Sequence, residues 1–169
     1  IRNVTKHKKV GHGGTLDPFA TGVLIIGTEK DTKQLSSITN FDKEYIAELK
    51  LGEATDTLDT EGEIVEQSTV PTIDEGLVIN VLKSFLGKQK QVPPMFSAKK
   101  KNGTRLYKLA RKNIEVEREK NDIMINSICI NNFSKDRINF SVNCSKGTYI
   151  RVLGSDIAKK IGTVGYLIN

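Results

Sequence analysis

At 169 residues the chain fits one domain and can bury roughly 70% of the surface its unfolded form exposes, so it needs no covalent staples. Its 37% hydrophobic and 27% charged content are ordinary for a soluble protein. No apolar run nears the roughly 20 residues that span a bilayer, two cysteines are too few for a disulfide framework, and a net charge of +6 suits a polyanionic partner without identifying one.

Along the chain, Ile1–Lys9 is basic and aperiodic, and His7 reads as a basic surface residue. Val10–Gly22 is glycine-rich and irregular. Val23–Gly27 (VLIIG) is a short apolar run that predicts a buried strand. Asp31–Ile38 predicts a short helix capped by Asp31. Lys43–Leu51 places Tyr45, Ala47, Leu49 and Leu51 at period two, which predicts a strand. Ile73–Leu86 carries an apolar stripe from Leu77 to Leu86 at helical spacing, with a Thr72–Glu75 capping box and Gly87 as terminator. Met124–Ile130 and Ile138–Cys144 predict two strands joined by a polar loop, with Cys129 and Cys144 as buried reduced thiols. A last helix, Arg151–Ile161, is closed by Gly162. Strands and helices interleave without βαβ regularity, so the expected class is α+β, with a mostly antiparallel mixed sheet flanked by helices.

The chain opens on Ile1 and stops at Asn169 within a segment that reads as structured, as expected of a piece of a longer protein. With no charged-then-apolar leader, the Asn-x-Ser/Thr matches at Asn3, Asn102, Asn132 and Asn143 read as chance, and a cytoplasmic location is expected.

Charge is polarised along the chain. Residues 99–112 carry seven positive charges and no negative one; residues 53–66 carry six negative charges and no positive one. The basic stretch bears a turn at Asn102-Gly103 and one aromatic, Tyr107. It is either a solvated face or a phosphate-binding loop.

Four segments carry chemistry. In VGHGGTLDPFATGVL, Gly11, Gly13 and Gly14 leave open backbone. Pro18 keeps Asp17 out of the helical region, presenting one carboxylate from a stiff loop, or else an ordinary turn. Leu16 stands where a dinucleotide fingerprint needs its third glycine, and there is no phosphate-loop Gly-Lys-Ser/Thr. Two histidines and two distant cysteines make no metal set. The second segment, KEYIAELKLGEATDTLDTEGEI, runs a strand into an acidic loop that lacks calcium-loop spacing. The third is VPPMFSAKKKNGTRLYKLARK. The fourth, NCSKGTYIRVLGSD, leads a strand through a glycine turn to Arg151, which is either a surface cation or the partner of a buried carboxylate.

Together these segments resemble the bacterial TruB family of tRNA pseudouridine synthases, in order and over nearly the whole chain. Gly11 to Gly22 is similar to the family's Gly-His-x-Gly-Thr/Ala-Leu-Asp-Pro-x-Ala-x-Gly signature. Lys43–Tyr45 with the Thr55-Asp56-Thr57-x-Asp59 loop resembles its second motif and points to the bacterial branch. Pro93 to Arg111 resembles the segment that grips the T arm of tRNA, and Cys144 to Arg151 its Cys-Ser-x-Gly-Thr-Tyr-Ile-Arg motif. The upstream Lys-Pro-x-Gly-x-Thr-Ser segment and the end of the catalytic domain are missing here.

The resemblance implies a pseudouridine synthase catalytic fold over residues 1–169, incomplete at both ends, with an RNA-gripping loop near 93–112. It implies Asp17 as the catalytic carboxylate, acting on C1′ or on a sugar proton. Arg151 would be the cation that favours its ionised form. Tyr45 would stack on the uracil and assist loss of the C5 proton, and His12 would fill the space left by the flipped base. Gly14, Thr15, Asp56, Lys99, Lys100, Lys101, Arg105, Tyr107, Arg111 and Tyr149 would contact RNA or substrate. The reaction adds and removes nothing, so no cofactor and no metal are expected. The expected partner is the T stem-loop of tRNA, with no membrane, no obligate protein partner and a monomeric state. The rival readings are an RNA-binding or RNA-folding module of the same fold, with weak or no turnover, and a nucleoside or glycoside hydrolase. The hydrolase needs two flanking carboxylates, and only Asp17 lies in a suitable loop.

Overall fold

A computed structural model describes residues 1–169. In chain order it holds α1 (Arg2–Thr5), β1 (Val10–His12), β2 (Ile26–Thr28), α2 (Leu35–Ile38), β3 (Lys43–Leu51), β4 (Glu53–Thr55), β5 (Ile64–Gln67), α3 (Glu75–Lys83), β6 (Gly87–Gln91), β7 (Lys100–Lys101), β8 (Thr104–Arg105), α4 (Leu106–Ala110), β9 (Asn121–Phe133), β10 (Arg137–Cys144), α5 (Ile150–Ile161) and β11 (Gly165–Leu167). Five strands form the central sheet in the order β11-β3-β10-β9-β6, every pairing antiparallel. The pairs β1–β2, β4–β5 and β7–β8 stand apart as two-stranded ribbons.

Period-two alternation decides which sheet face is apolar. On β3 and β10, Ala47, Leu49, Leu51, Ile138, Phe140, Val142 and Cys144 all point to one side, and all are buried. In β9 the isoleucines change parity, from Ile123 and Ile125 to Ile128 and Ile130. A register shift between Asn143 and Cys144 of β10 absorbs the change and keeps both pairs on the core side. Onto this face pack Val78, Val81 and Leu82 of α3 and Leu153, Ile157, Ala158 and Ile161 of α5. Gly154 lets α5 come close to the sheet: a Cβ there would sit 2.8 Å from Leu167 and 3.5 Å from Leu49.

Several sequence expectations are corrected. Val23–Gly27 is not a buried strand: the strand is Ile26–Thr28, and Val23, Leu24 and Ile25 are exposed. It pairs only with β1. The Asp31–Ile38 helix breaks into a 3-10 turn, Glu29–Lys33, followed by α2, and Asp31 caps neither. Leu35 is the sole buried residue of α2, packing over Gly11 and Gly27 of the β1–β2 ribbon, which is too little to hold a long helix. In α3 the cap is Asp74, whose carboxylate accepts the Leu77 N–H at 2.7 Å, in place of a Thr72–Glu75 box, and the helix ends at Lys83. Gly87, at φ +88°, opens β6 and does not close α3. Cys144 is buried, but alternation turns Cys129 to the solvent face. No helix is long and apolar enough to cross a membrane.

Candidate active site

Asp17 sits in the loop between β1 and β2. The loop is tied down by the Gly13 N–H on the Ile25 carbonyl at 2.8 Å and by the Ala20 N–H on the Asp17 carbonyl at 3.0 Å. Phe19, two residues on, packs against the main core. The Asp17 carboxylate is therefore held by its neighbours while 40% of the side chain stays exposed.

Arg151 reaches it from the first turn of α5. Nε donates to Asp17 Oδ2 at 2.8 Å and Nη2 to Asp17 Oδ1 at 3.0 Å, a bidentate pairing. The other donors are also used: Nη1 bonds the Thr57 carbonyl at 2.7 Å and Nη2 the Phe96 carbonyl at 2.9 Å. A second carboxylate, Asp59, approaches Nη1 at 3.1 Å. Arg151 is 5% exposed, so its charge is desolvated and the surrounding oxygens replace water.

The two carboxylates differ in what else they do. Asp59 is buried, and its Oδ1 accepts the Thr57 hydroxyl at 2.6 Å and the Glu61 N–H at 2.9 Å, so every strong interaction is internal. Asp17 bonds only Arg151 through its side chain and keeps an exposed side. Asp59 anchors the arginine; Asp17 faces outward.

The sequence does not single out Asp59 and points instead to Asp56 in the same loop. Asp56 is exposed and closes the loop, accepting the Glu63 N–H at 3.0 Å. Leu58 at φ +63° lies between Thr57 and Asp59. Gly62 underlies the turn: a Cβ there would collide with the Asp56 carboxylate and the Thr57 hydroxyl and lie 2.9 Å from the Thr57 nitrogen. The one signal in the sequence is that the acidic motif contains two aspartates.

Tyr45 lies on the core face of β3 opposite Val142, half-buried. Burial pushes its phenol above the usual range, with Cys144 and the Asp17 charge adding to the effect, so it stays neutral in the neighbourhood of that carboxylate. Tyr149 is the residue before α5, and its backbone N–H and carbonyl are both bonded by the Gln91 amide. His12 is exposed on β1, its Nδ1 against the Gly14 carbonyl; Gly14 is half-buried with open space where a Cβ would be, and Thr15 is exposed.

The basic stretch forms the β7–β8 hairpin, turning at Asn102 (φ +50°) and Gly103 (φ +80°), then α4. Leu106, 2% exposed, pins it to the body. Lys99 and Lys101 already have protein partners: half-buried Lys99 donates through Nζ to Asn121 Oδ1 at 2.6 Å, and Lys101, though exposed, has its Nζ on the Glu117 carbonyl. Lys100 is exposed and makes no such bond, and Arg105 and Arg111 flank the Tyr107 ring at 6.0 and 5.6 Å from its centroid. The stretch is tied to Arg151 through the Phe96 carbonyl at its root. Nowhere in the chain do three or more His, Cys, Asp or Glu side chains converge as a metal site would require.

Residues 2–150 match the family model described as TruB family pseudouridylate synthase (N terminal domain). A curated tRNA pseudouridine synthase B of Clostridium tetani is 51% identical over 162 residues, covering 96% of this chain and 56% of that protein. One of Psychrobacter cryohalolentis is 46% identical over 160 residues, covering 95% of this chain and 45% of that protein. One of Geotalea uraniireducens is 44% identical over 168 residues, covering 99% and 54%. The chain thus spans about half the length of the curated relatives it matches. Among solved structures, a chain of a Cbf5-Nop10-Gar1 complex superposes with a TM-score of 0.72 at 26% identity, over 98% of this chain and 40% of that one.

Proposed function

The chain belongs to the TruB family of pseudouridylate synthases, and on that footing we propose that it carries the catalytic centre of an enzyme that isomerises uridine to pseudouridine in the T arm of tRNA, at position 55. Residues 1–169 act as the catalytic domain, with residues 93–112 as the RNA-gripping loop. The observation that carries this reading is the half-exposed Asp17 carboxylate held on two oxygens by a buried Arg151.

The reaction breaks N1–C1′, turns the uracil and joins C5 to C1′; the C5 proton leaves and N1 gains one. Asp17 attacks C1′ or withdraws a sugar proton, and either role needs it ionised. The Arg151 guanidinium facing both oxygens fixes the carboxylate's orientation through two charge-assisted bonds. Arg151 itself positions the carboxylate and Asp59 holds Arg151 in place. Tyr45, kept neutral beside the carboxylate, offers the uracil an aromatic face and a hydroxyl near C5. Drawing the uridine out of its stack costs a few kcal/mol, which contacts from Lys100, Arg105 and Arg111 to RNA phosphates offset.

The test is release of tritium from C5-labelled uridine in tRNA, with mass mapping of the product, for the full-length protein and its Asp17→Asn variant. Turnover at position 55 that disappears in the variant is the expected result. RNA binding without tritium release would leave only an RNA-binding or RNA-folding role.

A further inference from the structure

Gln91 closes β6 with only 4% of its surface exposed, and its side chain spends both polar atoms on one residue 58 positions away. Its Nε2 donates to the Tyr149 carbonyl at 3.0 Å, and its Oε1 accepts the Tyr149 N–H at 2.7 Å. That is the donor and acceptor a neighbouring strand would offer, supplied here by a side chain. The Gln91 main chain lies opposite Asn121 in the β6–β9 ladder, so the amide carries the sheet one rung further, onto the segment entering α5.

The Tyr149 carbonyl also accepts the Leu153 N–H at 3.1 Å, the first bond of α5, which fills its second lone pair. The Tyr149 N–H has Gln91 alone. Tyr149 is the N-cap of α5 and makes no side-chain capping bond, so outside the helix its main chain is held by this amide. Two residues on stands Arg151. Its guanidinium meets both oxygens of Asp17 only if the helix begins at the right height and rotation, since a two-bond fork tolerates little displacement.

We infer that Gln91 is a positioning residue: by fixing the main chain of Tyr149 it sets where α5 starts, and so the reach of Arg151 to Asp17. The kinetic part of the test rests on the function proposed above; the structural part does not. In the full-length protein, Gln91→Met keeps the length and packing of the side chain and removes both bonds. The single-turnover rate of pseudouridine formation at saturating RNA falls by about 10²-fold, the scale of a 1 Å misplacement at a reacting centre, while T-arm RNA affinity stays near that of the parent. A crystal structure of the variant shows Arg151 meeting Asp17 through one bond or none.

An unchanged rate, a loss confined to RNA affinity, or a bidentate Arg151–Asp17 pair preserved in the variant overturns the inference. If Gln91→Met does not fold, Gln91→Glu keeps the shape and the acceptor for the N–H but loses the donor; it too is slower than the parent, and an equal rate overturns the inference. Were the parent to form no pseudouridine, the functional reading would fall, and the crystal structure alone would decide the place of Gln91.

Discussion

Arg151 meets both carboxylate oxygens of Asp17, at 2.8 and 3.0 Å, across 134 residues of sequence. The same guanidinium also faces Asp59, so one buried cation serves two acids, one internal and one open to solvent. The two ends of this triad therefore respond differently to mutation.

Asp17→Asn leaves Arg151 its bonds to Asp59, Thr57 and Phe96, so stability changes by within about 1 kcal/mol, as for a half-exposed pair. Pseudouridine formation falls below a few per cent. Arg151→Ala leaves Asp59 buried without its cation and costs about 3–5 kcal/mol of stability as well as the activity. Urea unfolding beside single-turnover kinetics separates the two; an Arg151→Ala protein as stable as its parent would remove Asp59 from the account.

Gly62→Ala drives a methyl into the Asp56 carboxylate and the Thr57 hydroxyl, and the loop must move to admit it. A loss of about 1–3 kcal/mol is expected, with reduced turnover because Thr57 and Asp59 both hold Arg151. Thermal melts and tritium release measure the two effects, and a variant unchanged in both shows the loop to be pliant.

On the RNA-gripping role proposed above, the cations without a protein partner carry the phosphate contacts. Changing Lys100, Arg105 and Arg111 together to alanine lowers the slope of log affinity against log salt by about 0.7–0.9 for each phosphate no longer neutralised. Lys99→Ala and Lys101→Ala, whose ammonium groups are bound within the protein, leave the slope nearly as it was. Fluorescence anisotropy with T-arm RNA at several salt concentrations decides; equal effects from the two sets would contradict the assignment.

Burial raises the carboxyl of Asp156, on α5, above its ordinary value of 3.8, with Lys159 partly opposing the shift. A carboxyl whose pKa is higher folded than unfolded favours the protonated fold, so it opposes stability once pH exceeds the folded value and ceases to do so as pH falls below 3.8. Asp156→Asn therefore raises the melting temperature at neutral pH, and the gain vanishes as the solution is made strongly acidic. A gain independent of pH would point to packing as the cause.

Much of the fold is legible where burial follows a simple period. β3 runs from Lys43 to Leu51 as alternation predicts, and α5 stops at Gly162, in the left-handed conformation at φ +99°. β6 is not legible, because GKQKQ has no apolar signal; it is a strand through its ladder to β9. Val23–Ile25 misleads for the opposite reason, since apolar composition says nothing about whether another layer lies above. At the candidate site, the motif resemblance singles out Asp17 and Arg151, which no local pattern could pair. The choice between Asp56 and Asp59 is out of reach, because both sit in one acidic loop and the turn around Leu58 and Gly62 decides which carboxylate points inward.

The guanidinium of Arg151 gathers oxygens from the Asp17 loop, the Thr57–Asp59 loop and Phe96, none of which is near another in sequence. No fragment that lacks one of these three segments can complete the ring of oxygens around the guanidinium. On the function proposed above, a molecule in which any one of the three is displaced loses the fork on Asp17 even where its basic stretch is intact, so turnover reports on the joint placement of distant segments and RNA affinity does not.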